Sequence, residues 1–281
     1  MRKMVLVVAL AAALSSACPA LAADDSPDGD GRNGLKVTGL TDDQRLVWFR
    51  AGNPEKVTSS GTVTGLTGDS QLVGIDYRVQ DGLLYGVGDA GGVYTIDTSD
   101  ATATKVSQLS IALQGDFFGV DFNPAADRLR IISDTGQNLR HNVNVPVGGT
   151  VADSTLTTPP AVTPALGVTG AAYTNNDLDV ATATSLFDID TANDRVALQS
   201  PANAGTLAPT GNLGVDAGPS AGFDIYFSAK DGTNRGFAAL QTGDSYRFYR
   251  VDLLTGAAND AGAFPAAGQV FDIALPLNQK K

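Results

Sequence analysis

Four residue types occur once each in this 281-residue chain: Cys18, Trp48, Glu55 and His141. A lone cysteine excludes an internal disulfide framework and a closed thiolate metal centre. A lone histidine excludes multi-histidine zinc sites, and none follows residue 141 to act as the downstream base of a serine esterase. Basic residues are also few, 19 against 30 acids, for a formal charge of −11. An acidic surface of this kind repels nucleic acid and anionic lipid, so neither is expected as a partner.

Long apolar runs are missing after the first residues. Met1 to Ala22 carries Arg2 and Lys3, an apolar run from Met4 to Leu14, and Ala20-Leu21-Ala22 as a small-residue cleavage site. This is the pattern of a Sec-type signal peptide over residues 1–22, too short in its apolar part to span a bilayer. Cys18 offers a lipoprotein reading, which Ser15 in the usual leucine position and Pro19 after the cysteine weaken. Cleavage after Ala22 removes Cys18, Arg2 and Lys3, leaving 17 basic residues against 30 acids, a charge of −13. The expected product is an exported, acidic, soluble monomer without a membrane span, in the periplasm or outside the cell.

Of the 30 acids, 29 are aspartates, and 32 glycines accompany them. Aspartate favours turns and disfavours helix interiors, so the bias predicts an all-β chain with many turns. Residues 23–34, polar and rich in Gly and Asp, read as a flexible linker. Asp28-Gly29-Asp30 within it is not a calcium loop, because Arg32 would fall at a ligand position and no acid closes it.

From residue 35 to residue 277 the chain reads as one repeating domain. Phe117 to Phe122 is an apolar run, Asn123 to Asp127 carries turn residues, Arg128 to Ser133 is a second apolar run, and Asp134 to Asn138 turns into a third strand at Leu139 to Val143. Val73-Gly74-Ile75-Asp76-Tyr77 matches Phe118-Gly119-Val120-Asp121-Phe122 and Ala221-Gly222-Phe223-Asp224-Ile225. Thr169 to Thr174 is a degenerate copy read with Tyr173 in the aspartate position, and Val270-Phe271-Asp272-Ile273-Ala274 is the last copy. Third strands are expected at 93–97, 139–143, 186–190 and 248–252, and fourth strands at 104–107, 150–153, 195–199 and 257–261.

The copies recur every 45 to 52 residues, the length of a propeller blade. The last copy has nothing after it, while Lys36 to Thr41, Arg45 to Arg50 and Glu55 to Thr64 supply three strands with no innermost strand before them. Joined, they make one blade. The prediction is a β-propeller of five four-stranded blades, closed by pairing the C-terminal strand with the N-terminal one, which also removes exposed sheet edges. An open sandwich or irregular β-solenoid is the alternative; the blade-length spacing and the split first blade argue against both.

The stretches GVDFNPAADRLRIISDTGQNLR at 119–140 and GIDYRVQDGLLYGVGDAGGVYTID at 74–97 resemble a bacterial exported family known as domain of unknown function 4394. The resemblance implies a propeller-like fold and an exported location. It implies no activity, substrate or catalytic residue.

The candidate site residues are the inner-strand aspartates Asp76, Asp121, Asp224 and Asp272. An unpaired buried carboxylate is costly, so each needs a donor or a cation. The preferred reading is structural: each accepts backbone N–H groups or an arginine, Arg130 and Arg140 being the candidates, and holds neighbouring blades in register. In the other reading they converge on the channel as a metal site and bind calcium through oxygen ligands, the one cofactor the sequence suggests. Gly218-Pro219-Ser220-Ala221-Gly222 matches G-x-S-x-G but leads from a turn into a strand, the wrong context for a nucleophile elbow. Gly68-Asp69-Ser70 and Gly243-Asp244-Ser245 lack the downstream histidine. A glycosidase would need an acid beyond Glu55, and Trp48, Tyr246, Phe248 and Tyr249 suit core packing better than sugar stacking.

Two functions follow from this reading. The first is a non-enzymatic exported module that binds or scaffolds a protein or glycan ligand through one face. The second is a calcium-dependent hydrolase or lactonase with its site at the channel, motivated by the repeated aspartate and the loop Asn175-Asn176-Asp177-Leu178-Asp179.

Overall fold

The computed structural model describes residues 34–279. The signal peptide and all but the last residue of the linker lie outside the described residues. Twenty strands follow one another without an α-helix among the described residues: β1 (Lys36–Thr41), β2 (Arg45–Arg50) and β3 (Asn53–Thr62); β4 (Leu72–Tyr77), β5 (Leu84–Gly88), β6 (Gly92–Ile96) and β7 (Ala103–Gln108); β8 (Phe118–Asn123), β9 (Arg128–Ser133), β10 (Asn138–His141) and β11 (Thr150–Ala152); β12 (Val168–Tyr173), β13 (Leu186–Asp190), β14 (Arg195–Gln199) and β15 (Leu207–Asn212); β16 (Ala221–Ser228), β17 (Thr233–Thr242), β18 (Ser245–Val251) and β19 (Ala258–Ala263); and β20 (Val270–Ala274).

They form five four-stranded antiparallel sheets, the first in the order β20-β1-β2-β3 and the rest in chain order. The innermost strands β4, β8, β12, β16 and β20 touch one another in a closed ring, which makes the molecule a five-bladed propeller. β20 completes the first blade by pairing antiparallel with β1, Gly39 opposite Ile273 and Leu40 opposite Asp272. The split blade expected from the sequence is therefore present.

One blade departs from the expected strand order. Leu186–Asp190 is the second strand of blade 4, not the third, and Arg195–Gln199 is the third, not the fourth; the fourth is Leu207–Asn212. Residues 174–185 form a loop between the first two strands of that blade, and this loop displaces the count.

Apolar packing follows the blades. Five clusters of buried residues lie one at each blade interface: Leu46 with Ile75 and Leu84, Val87 with Phe122 and Ile131, Ile132 with Tyr173 and Leu186, Ile189 with Phe223 and Tyr249, and Phe49 with Phe237 and Phe248. The last is aromatic, with Phe49 edge-on to Phe248 at 5.0 Å and Phe237 stacked on Phe248 at 5.7 Å. Side chains alternate along each inner strand, so apolar residues such as Ile75 feed these clusters while the Gly and Asp of the G-x-D repeat share the other face.

That other face has little room. A Cβ on Gly119 would lie 2.7 Å from the backbone nitrogen of Ala171 in the next blade, and one on Gly74 2.5 Å from Val120 Cγ2. Glycine recurs here because neighbouring inner strands approach too closely for any side chain. At the far ends of the inner strands Arg78 crosses from blade 2 to the β8–β9 turn, with Nε and Nη2 donating to the two carboxylate oxygens of Asp127 at 2.7 and 2.6 Å.

Candidate functional site

Two residues after Gly74, Gly119 and Gly222, Asp76, Asp121 and Asp224 enter the axis of the ring; Asp272 itself stands at the glycine position of β20, since Ile273 pairs with Gly39 as Ile75 pairs with Gly86. Asp76, Asp121 and Asp272 each accept one backbone hydrogen bond from the next blade. Asp76 Oδ2 accepts the N–H of Phe122 at 2.8 Å, Asp121 Oδ1 that of Tyr173 at 3.0 Å, and Asp272 Oδ2 that of Ile75 at 2.7 Å. Asp224 accepts from its own neighbour Ile225 and, across the blade boundary, from Leu275. The backbone bonds of the structural reading are present.

The arginine bonds of that reading are absent among the described residues. Arg130 is the ladder partner of Asp121, yet its guanidinium reaches outward to Asp153 at 2.7 Å, Asn203 at 2.8 Å and the Tyr173 hydroxyl at 3.2 Å. Arg140 binds the other oxygen of Asp153 at 2.9 Å. Both serve the outer part of blade 3 and its border with blade 4.

The fifth aspartate position also needs correction: it belongs to Ala172, not Tyr173. Ala172 pairs with Phe187 as Asp76 pairs with Tyr85, and Gly170 precedes it by two as Gly74 precedes Asp76. Tyr173 stands where Tyr77 and Phe122 stand. Counting two from Gly170 in the sequence would have found it. Blade 4 thus brings only a methyl group to the axis, between the blades of Asp121 and Asp224.

Three of the four aspartates come together. Asp76, Asp121 and Asp224 each present an oxygen within 4.8 Å of the other two. All three are buried, with Asp121 1% exposed. Asp272 lies outside this set, slotted beside Gly222 and Gly74, whose added Cβ atoms would meet its oxygens at 2.8 and 3.3 Å. Burial, then the charge of Asp224, pushes the Asp76 carboxyl well above the usual range. Burial, then Asp76 and Asp224, does the same to Asp121, and burial pushes Asp224 up to about 6. Burial likewise raises Asp272.

Above the carboxylates one face of the propeller opens into a hollow of about 190 Å³. Four blades line it: Asp42, Gln44 and Phe271 from blade 1, Gln71 and Val73 from blade 2, Asp116, Phe117 and Phe118 from blade 3, and Ser220 and Tyr246 from blade 5. Phe117, Phe118, Tyr246 and Phe271 are half-buried, and Asp42, Gln71 and Asp116 exposed. Gln44 fixes the rim by bonding both the N–H and the C=O of Leu72. Val73, Phe118 and Ala221 each precede an axial aspartate by three residues, about 10 Å of strand. A second hollow of about 380 Å³ lies between blades 3 and 4 at the opposite ends of the inner strands, lined by Asn123, Tyr173, Leu186, Gln199 and Asn203.

The remaining candidates disperse. Asn175 in the loop after β12 is stapled to Asn234 by two bonds of 2.8 and 2.7 Å, and Asp177 and Asp179 close local turns by accepting N–H groups of Asp179 and Ala181. The loop leaves β12 on the side away from the hollow, where Asn176 Nδ2 donates to the carbonyl of Ile225, next to Asp224, at 3.0 Å; its own acids do not join the three carboxylates. His141 is fully buried, its Nε2 2.9 Å from Ser107 Oγ and its Nδ1 3.0 Å from Thr150 Oγ1. Ser70 bonds to Asp89, and Glu55 is exposed on the outer strand β3. Phe248 and Tyr249 are core, as expected, whereas Tyr246 turns to the hollow; no periodic signal in the sequence separated it from them.

The family described as Domain of unknown function (DUF4394) matches residues 45–274. No curated protein matches the chain. Among solved structures it is similar to an auxiliary nutrient binding protein from Bacteroides thetaiotaomicron, with 12% identity and a TM-score of 0.40, over 72% of this chain and 55% of that one. A similar protein from Bacteroides ovatus shows 12% identity and a TM-score of 0.43, over 79% and 57%. A chain of a nidogen/laminin complex shows 8% identity and a TM-score of 0.48, over 88% and 99%. The chain spans little more than half the length of the two Bacteroides proteins. Among the described residues no helix is long and apolar enough to cross a membrane.

Proposed function

The chain belongs to the family described as Domain of unknown function (DUF4394), and because that description names no activity, we propose from the site itself that it is an exported binding module for a neutral glycan. The observation that carries this reading is the make-up of the axial hollow. Half-buried Phe117, Phe271 and Tyr246 offer aromatic surface for the C–H face of a sugar, and Asp42, Gln71 and Asp116 on the rim offer hydrogen-bond acceptors and donors. Among the described residues no lysine or arginine lines the hollow. An anionic ligand would meet two rim carboxylates with nothing to neutralise them, so the charge favours an uncharged partner.

The volume sets the scale. About 190 Å³ is the share of some six liquid waters, which suits one ring of a longer chain lying across the face. Ligand is held by surface the fold already presents, since Gln44 and the inner-strand starts fix the rim.

The test is a glycan array probed with the wild-type chain and with Tyr246→Ala. Binding to neutral oligosaccharides, weakened at least tenfold in the variant, is the expected result. Preference for sulfated or uronic glycans, equal binding by the variant, or binding to peptides and to no glycan would each overturn the reading.

A further inference from the structure

The three converging carboxylates have no cationic partner among the described residues. Asp76, Asp121 and Asp224 come from blades 2, 3 and 5, are 4%, 1% and 2% exposed, and place oxygens within 4.8 Å of one another. None of the ion pairs among the described residues includes them; Arg78, Arg130 and Arg140 are taken by Asp81, Asp127 and Asp153, and Arg128 bonds the carbonyls of Ala126 and Asp127. Backbone N–H groups bond Asp76 Oδ2, Asp121 Oδ1 and both oxygens of Asp224. A second observation is independent of the clustering: Asp121 Oδ2 is buried with no hydrogen-bond partner at all. A carboxylate oxygen left bare in the interior is costly, and three carboxylates around one point multiply the cost.

Either protons or a cation must offset this charge. One proton can bridge two oxygens but not three. Three oxygens that all lie within 4.8 Å of one another are close enough to share one ion; Ca²⁺ accepts such oxygens in a flexible shell at about 2.3–2.6 Å, whereas Mg²⁺ demands a near-octahedral set at about 2.0–2.1 Å. All the donors are hard oxygens, with no histidine or thiolate nearby to favour a transition metal.

We propose that Asp76, Asp121 and Asp224 hold one calcium ion on the propeller axis, with Asp121 Oδ2 as a direct ligand and water from the axial hollow completing the shell. The ion ties blades 2, 3 and 5 together across the place where blade 4 contributes only Ala172. The assignment is independent of what binds in the hollow: it concerns the floor of the channel, and its readout needs no glycan.

The experiment uses the full chain stripped with EDTA, with equilibrium dialysis against radioactive calcium and thermal unfolding in 0–10 mM CaCl₂ or MgCl₂. Expected are one tightly bound calcium per chain and a melting temperature that climbs by several degrees with calcium. Asp121→Asn keeps an acceptor for the Tyr173 N–H and removes the charge; it should bind calcium at least tenfold more weakly. If that variant does not fold, Asp224→Asn and the wild-type dialysis decide. No stoichiometric calcium on the wild-type chain at 1 mM, or undiminished binding by the folded variant, overturns the site. Equal stabilisation by magnesium overturns the choice of ion.

Discussion

Asp121 Oδ1 accepts the backbone N–H of Tyr173, 52 residues later in the chain and one blade further round the ring, at 3.0 Å. Asp76 with Phe122 and Asp224 with Leu275 repeat the arrangement, and Asp272 accepts the Ile75 N–H in the same way two residues earlier in the strand. An edge N–H facing the axis has no ladder partner and, once buried, needs an acceptor from elsewhere. The aspartate supplies it, and each blade thereby fixes the position of the next.

Asp272 tests this role separately from the three-carboxylate cluster. Asp272→Ala would leave the Ile75 N–H unpaired and is expected to cost about 2 kcal/mol. Asp272→Asn keeps an acceptor and removes a charge that burial penalises, so it should cost under about 1 kcal/mol or stabilise. Urea denaturation checks both; equal losses in the two variants would show that the charge, not the acceptor, is what the ring uses.

Gly119 tests the close approach of the blades. In Gly119→Ala the new methyl would lie 2.7 Å from Ala171 N and 2.9 Å from Gly170 C, which are backbone atoms and cannot rotate away. A loss of about 3 kcal/mol is expected. By contrast Gly82→Ala, on the surface with nothing within 4 Å but at a φ of +71°, should cost only the left-handed backbone penalty of about 1 kcal/mol. Urea midpoints of the two variants give the comparison.

His141 predicts a pH dependence. Burial, and then the charge of Arg128, pushes its imidazole down to about 4. The unfolded chain takes up that proton near pH 6.5 while the folded chain does not, so the contribution to stability is complete above 6.5 and is lost as pH falls toward 4. The loss amounts to about 3 kcal/mol at most. The raised aspartates act in the opposite direction, gaining stability as pH falls. The difference between wild type and His141→Gln isolates the imidazole: the wild-type urea midpoint should fall more steeply from pH 6.5 to 4 than the variant's. Parallel curves would contradict it.

Much of this architecture is legible in the residues because every blade solves the same local problem. Glycine at the contact, aspartate two places on, and an apolar residue between recur in β4, β8 and β16, so the period shows. Blade 4 hides it by replacing the aspartate with Ala172 and inserting residues 174–185, and there the reading slips by a residue and by a strand. Three aspartates converge and Asp272 does not because β20 is offset by two: Ile273 pairs with Gly39 as Ile75 pairs with Gly86, which puts Ala274 at the axial position and Asp272 at that of Gly74. The bonds of Asp76, Asp121 and Asp224 accordingly land at the equivalent residues Phe122, Tyr173 and Leu275, and that of Asp272 at Ile75. The hollow is less visible still. Its lining comes from four blades, and nothing local distinguishes Tyr246 from its core neighbours Phe248 and Tyr249.

Hydrogen–deuterium exchange of the chain, with and without a mixture of neutral oligosaccharides, tests the proposed binding face most directly. The account predicts slower exchange in the segments around the hollow, at residues 42–44, 69–72, 114–118 and 218–221, with the opposite face unchanged. Protection confined to residues 184–186 and 199–203, around the hollow between blades 3 and 4, or none anywhere, would contradict it.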